Sequence, residues 1–382
     1  MSMTEKQGGS DVRANTTTAA PLDDNGECFA LTGHKWFTSA PMSDAFLTLA
    51  QVPGAGVTCF LVPRWLPDGS RNSNFRVMRL KNKMGDRSNA SSEVEYAGAW
   101  AQRIGLLGRG VSVIVDMVVS TRLDCALGSA GLQRQALRHA MHHACGRSAF
   151  GVRLADAPAM RALLGDLAVE SEASVAMALY AAQLFDAAAA DPGNEDTAAL
   201  KRLVTAVVKY FVTKRTPQFV YEAMEAHGGN GYVYEWDMPR MFLQSPLNSI
   251  WEGSGNTMVL DILRTLAKEP AALPAFLRVL RSAGGDSAPA GYAEALQGLQ
   301  GQLSKVQAWM VAGDMEAVQF AGRSIVDGMA TCLGAAVLLQ RSANLGLPKH
   351  NYGAVLTPGM TADTIDAVLS RAAGGPDMSR TQ

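Results

Sequence analysis

Cysteine is scarce and scattered in these 382 residues, at Cys28, Cys59, Cys125, Cys145 and Cys332. The number is odd and no pair has Cys-x-x-Cys spacing, so a disulfide scaffold is not expected and reduced thiols of a cytoplasmic protein fit instead. No uninterrupted apolar run is long enough to span a bilayer. The opening Met-Ser-Met-Thr-Glu-Lys-Gln-Gly-Gly-Ser lacks the apolar core of a signal peptide, so no membrane is expected as a partner. Neither sign of charge is in excess. Thirty-four Lys and Arg face 35 Asp and Glu, a formal net charge of -1, which argues against a surface generally coated with nucleic acid or anionic lipid. No tandem repeat of fixed period and no long low-complexity tract is present. Lys6-Gln7-Gly8-Gly9-Ser10 is glycine-rich but has neither Walker spacing nor a preceding strand, against a nucleotide triphosphatase. His139, His142, His143 and Cys145 share a helical stretch without a nearby carboxylate to complete a ligand set, so no metal is expected.

Apolar bulk and turn chemistry are there in quantity. Hydrophobic residues make up 48% and charged residues 18%, ample material for a core, and the length predicts two or three domains. Up to about Trp100, β-like runs at Cys28–Leu31, Ala45–Gln51, Val57–Val62, Phe75–Leu80 and Glu93–Tyr96 alternate with turn signals. Those signals are Asp23-Asp24-Asn25-Gly26, Pro53-Gly54-Ala55-Gly56 and Pro67-Asp68-Gly69. Beyond Gly110 the pattern predicts long helices rich in Ala and Leu, near Val111–Ala144, Ala157–Ala190, Asp196–Ala226 and Thr257–Lys268. Pro192-Gly193-Asn194 separates the second from the third, and His227-Gly228-Gly229-Asn230-Gly231 ends the third. Four long antiparallel helices with short breaks describe a bundle. Ala283 to Gly291 reads as a linker. Helical stretches near Ala293–Val311, Met315–Ala343 and Thr361–Ala373 follow it.

One carboxylate stands in unusual company. In Asn248-Ser249-Ile250-Trp251-Glu252-Gly253-Ser254-Gly255-Asn256-Thr257-Met258, two apolar residues precede Glu252 and two glycines follow it, just before the helical run Val259–Leu266. Glycines permit an irregular or closely approached backbone, and a helix start offers free N–H groups to an anion or polar cofactor. A lone Glu beside Trp can act as a base. It can equally be a helix-start carboxylate favoured by the dipole. These residues alone leave both readings open.

Five stretches, in order, resemble the acyl-CoA dehydrogenase family. Met3-Thr4-Glu5-Lys6-Gln7-Gly8-Gly9-Ser10-Asp11 is similar to the flavin-contacting segment that opens the family's middle β-domain. Gly33-His34-Lys35-Trp36-Phe37-Thr38-Ser39 looks like the next flavin-facing strand. Arg147-Ser148-Ala149-Phe150-Gly151 matches an Arg-x-x-Phe-Gly element. Ala226 to Gly231 matches the glycine-rich turn after the third bundle helix, and Trp251-Glu252-Gly253-Ser254 the catalytic Tyr-Glu-Gly-Thr segment. Lys83-Met84-Gly85-Asp86-Arg87-Ser88-Asn89-Ala90, Thr121 to Gly128 and Asn248 to Asn256 resemble the AidB-like branch, which is associated with the response to DNA alkylation and carries an extra C-terminal helical region. The resemblance implies an α+β fold: a small middle β-barrel or sheet domain over 1–104, a four-helix bundle over 105–268 and a C-terminal helical extension over 269–382. It also implies that the family's N-terminal helical domain is lacking ahead of Met3.

The same resemblance implies FAD, an acyl-CoA substrate and a homotetramer in which neighbouring subunits complete each site. Thr4 and Ser10 correspond to hydroxyl-bearing positions near the flavin. Trp36 and Thr38 correspond to the strand beside the isoalloxazine, Trp36 as a flat wall and Thr38 at the ring's polar edge. For Trp36 the plain alternative is a sheet-core residue. Arg147 corresponds to the basic residue at the diphosphate or adenine end, reached across the subunit interface; a salt-bridged helix end is the alternative. Phe150 packs near the adenine or in the bundle core. Gly228 and Gly229 match a turn whose backbone approaches the neighbouring subunit's FAD, or a helix C-cap. Ser254 and Asn256 lie on the flavin side of the catalytic turn or serve as helix caps.

Glu252 then becomes the base that removes the acyl α-proton while the β-hydride passes to flavin. Some family members carry that carboxylate on a bundle helix at a place aligning near Thr121, which cannot do the job. Two departures stand out: Leu243 replaces a usual Arg, and Glu225 a usual flavin-facing Gln. An alternative function is an FAD-containing protein bound to double-stranded DNA that protects against alkylation; another is a remnant with neither activity. From Lys268 to Gln382 nine Lys and Arg balance nine Asp and Glu, so composition gives no basic face there. The run Arg64, Arg71, Arg76, Arg79, Lys81, Lys83 and Arg87, opposed only by Asp68 and Asp86, is the better footprint or a solvated sheet edge.

Overall fold

A computed structural model of the chain describes residues 1–284, 288–345 and 361–373. Six strands form the main sheet: β1 (Thr18–Pro21), β2 (Cys28–Ser39), β3 (Ala45–Val52), β4 (Gly56–Pro63), β5 (Phe75–Leu80) and β6 (Ser91–Ile104). Their order is β2-β1-β3-β4-β6-β5, and β2 also pairs with β6. Five strands therefore close into a barrel, while β5 hangs outside on β6. The β2–β6 ladder runs antiparallel from Cys28 opposite Gln102 to Ser39 opposite Ser91, with irregularities after Leu31 and between Lys35 and Thr38. Alternate side chains point inward, so Phe29, Leu31, Phe46, Phe60, Val94 and Tyr96 fill the barrel. β5, an edge strand, is exposed from Arg76 onward.

A buried ion pair sits in this unit. Lys35 Nζ lies 2.8 Å from Glu5 Oε1, with both side chains fully buried. Glu5 also accepts from the Thr16 N–H and hydroxyl and the Thr17 N–H. Burial pushes its carboxyl up, but these donors, Lys35 foremost, outweigh burial and hold it at about 2.

The helices are α1 (Gly110–Gly146), α2 (Pro158–Ala190), α3 (Glu195–Glu225), α4 (Met238–Gln244), α5 (Gly255–Lys268), α6 (Ala272–Gly284), α7 (Ala290–Ala312), α8 (Met315–Leu345) and α9 (Ala362–Ala373). The chain divides into two compact units, Met1–Ser120 and Thr121–Gln382. In the first, Val111, Ile114, Met117 and Val118 of α1 pack on Leu49, Val57 and Cys59. The second has two apolar cores. One joins α2, α3 and α5 to α6, α7 and α8 through Leu203, Val207, Ile262, Phe276, Leu303 and Leu333. The other joins Leu137, Leu164, Phe219, Met241 and Leu369. Each fully buried Leu or Phe contributes about 1.5–3 kcal/mol, so the helices after Lys268 are held by the same burial as the bundle.

The α+β class matches the expectation from sequence, and the five anticipated strands and seven anticipated helices are all present. β1, α4 and α6 were not anticipated. The linker expected from Ala283 to Gly291 begins inside α6 and ends inside α7, and residues 285–287 of it lie outside the described residues. The absence of an unbroken apolar run does not exclude membrane-length helices. Pro158–Ala190 and Met315–Arg341 are each long and apolar enough to cross a bilayer by length and composition, because alanine raises the average without a run of large side chains. The apolar window is 39% buried in the first and 72% buried in the second, and α8 is buried as a core helix is.

Candidate active site

The site is built on the turn that enters α5. Leu247–Ser249 forms a single 3-10 turn, and Asn248 ties it to α1. Its amide Nδ2 donates to the Cys125 carbonyl at 3.3 Å and to Ser129 Oγ at 3.0 Å, while its Oδ1 accepts from Trp251 Nε1 at 2.8 Å. The next residues then enter the left-handed region in succession, Glu252 at φ 56° and Gly253 at φ 97°. An L side chain in that region costs about 1–2 kcal/mol, so neighbouring contacts must hold Glu252 there. At Gly253 a Cβ would lie 2.8 Å from Met258 Sδ, which explains the glycine by close approach as well as by φ.

Two cations do the holding. Lys209 of α3 is fully buried, and its Nζ donates to the Trp251 carbonyl at 2.8 Å and to the Gly253 carbonyl. Arg122 of α1 donates from Nε to the Glu252 carbonyl at 3.3 Å, and Asp261 of α5 anchors the same guanidinium at 2.6 Å. Three successive carbonyls are thus taken by positive groups. Burial pulls the Lys209 ammonium down to about 8. No carboxylate among the described residues pairs with it. The Glu252 carboxylate itself is half-buried. Its Oε2 accepts from Thr121 Oγ1 at 2.7 Å, and its Oε1 has no protein donor among the described residues. The structure therefore brings together the two positions that the sequence comparison connects, Glu252 and Thr121. The second holds the carboxylate of the first. Chemically, the turn presents one carboxylate with a fixed backbone and one open oxygen.

Ser254 is the backbone N-cap of α5 but makes no side-chain cap bond; its Oγ pairs with Thr257 Oγ1 at 3.1 Å. Asn256 Oδ1 accepts from Arg323 Nε of α8 at 2.8 Å. Both lie beside Glu252 in the chain. Arg147, Phe150, Gly228 and Gly229 lie elsewhere. Arg147 follows the end of α1, exposed and without an ion pair among the described residues, which removes the salt-bridged reading. Phe150 adopts φ 53° and is fully exposed, so it is not a bundle-core residue within this chain; the tight turn to Gly151 faces it outward. Gly228 takes φ 59°, and neither it nor Gly229 has a heavy atom within 4 Å of an added Cβ. The tilted rings of His143 and His227, with centroids 4.8 Å apart, place the ends of α1 and α3 together, so these four residues share one end of the bundle.

The remaining expected residues belong to the first unit. Thr4 offers its carbonyl to the Trp36 N–H at 2.8 Å, and Ser10 is exposed on the loop after Gly9. Trp36 is half-buried at the β2 irregularity, with Lys81 Nζ 3.3 Å from its ring centroid, and so is not a sheet-core residue. Thr38 is fully buried; its hydroxyl bonds Ser2 Oγ and its carbonyl accepts from Ser92. Any polar edge it offers is therefore not its hydroxyl. Leu243 falls in α4, and Glu225 closes α3, where its charge pushes the Tyr221 phenol up. Among the described residues no group of three His, Cys, Asp or Glu could hold a metal. Most of the basic run is spent locally: Arg79 and Lys81 on Glu93, Lys83 on Asp86 and the Asn89 carbonyl, Arg64 on Met42 and Arg87 on Lys83.

Lys209 escaped the sequence reading. A lone lysine in Ala206-Val207-Val208-Lys209-Tyr210-Phe211-Val212 is the signal that could have found it, because an ammonium in an apolar run is retained only with buried partners.

The middle-domain profile of acyl-CoA dehydrogenases matches residues 1–99 and their C-terminal-domain profile matches residues 108–267. AidB of Escherichia coli is 48% identical over 269 residues, 70% of this chain and 48% of that protein. The chain spans about half the length of the curated relatives it matches. The crystal structure of Caenorhabditis elegans ACDH-11 in complex with C11-CoA superposes with a TM-score of 0.81 at 27% identity, covering 98% of this chain and 64% of that one. An acyl-CoA dehydrogenase from Bacillus anthracis complexed with FAD shares the fold, with a TM-score of 0.76 at 18% identity over 98% of this chain and 67% of that one. The two matched domains in their order, the AidB likeness and the barrel-then-bundle architecture place the chain in the acyl-CoA dehydrogenase family, as an AidB-like member.

Proposed function

We propose that the chain takes part in FAD-dependent α,β-dehydrogenation of an acyl-CoA thioester, with Glu252 as the base. The observation that carries this is the carboxylate's mounting: a left-handed turn pinned at three carbonyls by Lys209 and Arg122, one oxygen held by Thr121 and the other open. A base fixed in this way need not reorganise when it takes the α-proton, which is where orientation lowers a barrier. FAD, when bound, supplies the acceptor for the β-hydride. The relatives whose names carry acyl-CoA dehydrogenase, C11-CoA and FAD support the cofactor and substrate class.

The residues present fit that cofactor. Gly228 and Gly229 leave open an approach that any Cβ would narrow. Arg147 offers a diphosphate an exposed guanidinium without an ion pair among the described residues, and Phe150 offers an adenine a fully exposed ring. Thr121 and Gly146 are separated by roughly 38 Å along α1 at 1.5 Å per residue, more than one dinucleotide spans. Residues at the two ends therefore serve different cofactors, as in a homotetramer whose neighbours share each site. The cytoplasm is the expected compartment.

The test is Glu252→Gln on the purified protein. The variant should keep yellow FAD absorption and lose acyl-CoA-dependent bleaching by about 10²–10⁴-fold, the worth of a general base. Bleaching at the wild-type rate removes Glu252 from the reaction, and a colourless wild-type protein removes the flavin.

A further inference from the structure

A cleft of about 270 Å³ opens between α1, α2, α8 and α9, and none of its lining residues belongs to the Glu252 turn. It lies on the seam between the two cores of the helical unit, because Leu137 packs with one and Leu338 with the other. Its polar side chains are Arg134, Ser171, Glu172, Arg341 and Arg371. Arg371 and Glu172 cancel each other in a bidentate pair at 2.9 and 3.0 Å. Arg134 and Arg341 have no carboxylate partner among the described residues.

Two groups here are buried donors without acceptors among the described residues. Arg134 Nη1 and Ser171 Oγ are both closed to solvent and have no partner among the described residues, and Ser171 as a residue is 1% exposed. A helical serine usually returns its hydroxyl to a carbonyl one turn back; Ser171 does not. An unmet buried donor is destabilising, and more so when it is charged. An acceptor carrying negative charge would meet both at once, since a guanidinium edge matches a carboxylate or phosphate. The rest of the wall is apolar, with Leu137, Val175 and Leu338 facing the space, which suits a hydrocarbon tail and not a hydrated ion.

We propose that this cleft binds a small amphipathic anion, a carboxylate on a short apolar chain, with the head on Arg134 and Ser171 and the tail on Leu137, Val175 and Leu338. The binding needs no flavin and does not rest on the role of Glu252.

Hexanoate is the probe, titrated into the purified full chain by calorimetry, with 1-hexanol and inorganic phosphate as comparators. One hexanoate should bind per chain. Arg134→Met should weaken it by at least about tenfold and Ser171→Ala by about threefold, since a charge-assisted bond exceeds a neutral one. Glu252→Gln should leave hexanoate affinity unchanged. Hexanol and phosphate should each bind at least about tenfold more weakly, one lacking the head and the other the tail. Should Arg134→Met fail to fold, Arg134→Lys keeps the charge and loses the fork, and is expected to weaken hexanoate by about threefold or more. The proposal is overturned by no saturable hexanoate binding, by equal binding of hexanol or phosphate, by undiminished affinity in both cleft variants, or by loss of affinity in Glu252→Gln.

Discussion

Replacing Lys209 with Met separates holding the fold together from aiming the carboxylate. The ammonium is fully buried and pulled down to about 8 from 10.5. A lysine whose folded pKa is depressed is a cost below that value, and the cost is relieved as pH rises from about 8 towards 10.5. At neutral pH it amounts to about 3 kcal/mol. Removing the charge recovers that energy but strands the carbonyls of Trp251 and Gly253, at about 1–3 kcal/mol each. The two effects nearly cancel, so Lys209→Met should unfold within about 2 kcal/mol of wild type in denaturant. Activity should not be spared. Without the ammonium, Glu252 and Gly253 can relax out of the left-handed region, and a displacement of about 1 Å at a reacting group costs on the order of 10²-fold. Steady-state dehydrogenation of an acyl-CoA by the FAD-loaded protein should show that loss in kcat, with KM less affected. A second signature is the pH profile. Wild-type activity should fall as pH rises through about 8, because a neutral amine is the weaker donor, and Lys209→Arg should lack this fall because guanidinium stays charged. Activity of Lys209→Met within about threefold of wild type, or a wild-type rate flat across that range, would refute the reasoning.

Two further outcomes concern stability. Glu5 is held at about 2 against an ordinary 4.5, and a depressed carboxyl gives stability present above its unfolded value and lost as pH falls towards the folded one. About 3 kcal/mol should therefore disappear between pH 5 and about 2; denaturant unfolding across that range measures it, and Glu5→Gln should flatten the loss. At Gly231 a Cβ would sit 2.1 Å from the Met224 carbonyl oxygen, so Gly231→Ala should cost about 1–3 kcal/mol in thermal unfolding.

Much of this architecture is legible in the residues, and the exceptions have physical causes. Strands β3, β4 and β5 stand out because the turn signals at Pro53–Gly56 and Pro67–Gly69 separate them. β2 and β6 run longer than their apolar runs, since polar positions such as His34, Lys35 and Thr38 continue the ladder. α6 was hidden by Pro270 and Pro274, which look like breaks; Pro274 falls in the first turn, where the lost N–H has no intrahelical partner to lose. α4 is too short for a period to show. At the candidate site, Glu252 is conspicuous for its neighbours, whereas Lys209 looks like one more residue of an apolar helix. Its importance depends on carbonyls more than forty positions away, and backbone acceptors leave no mark on side-chain patterns. The outward placement of Phe150 was equally hidden, because an aromatic beside glycine reads alike in a core and on a surface.

The barrel closes through β2 and β6, the first long strand and the last. In the order of synthesis, the strand that opens the ring has no final partner until the strand that seals it has left the ribosome. Until then β2 can pair with β1 but not with its second neighbour. Such distant pairing is slow to form and leaves strand edges exposed in the meantime. This part of the nascent chain is therefore where chaperone occupancy should concentrate, and substitutions that slow ring closure should lower yield during expression even where the finished fold tolerates them.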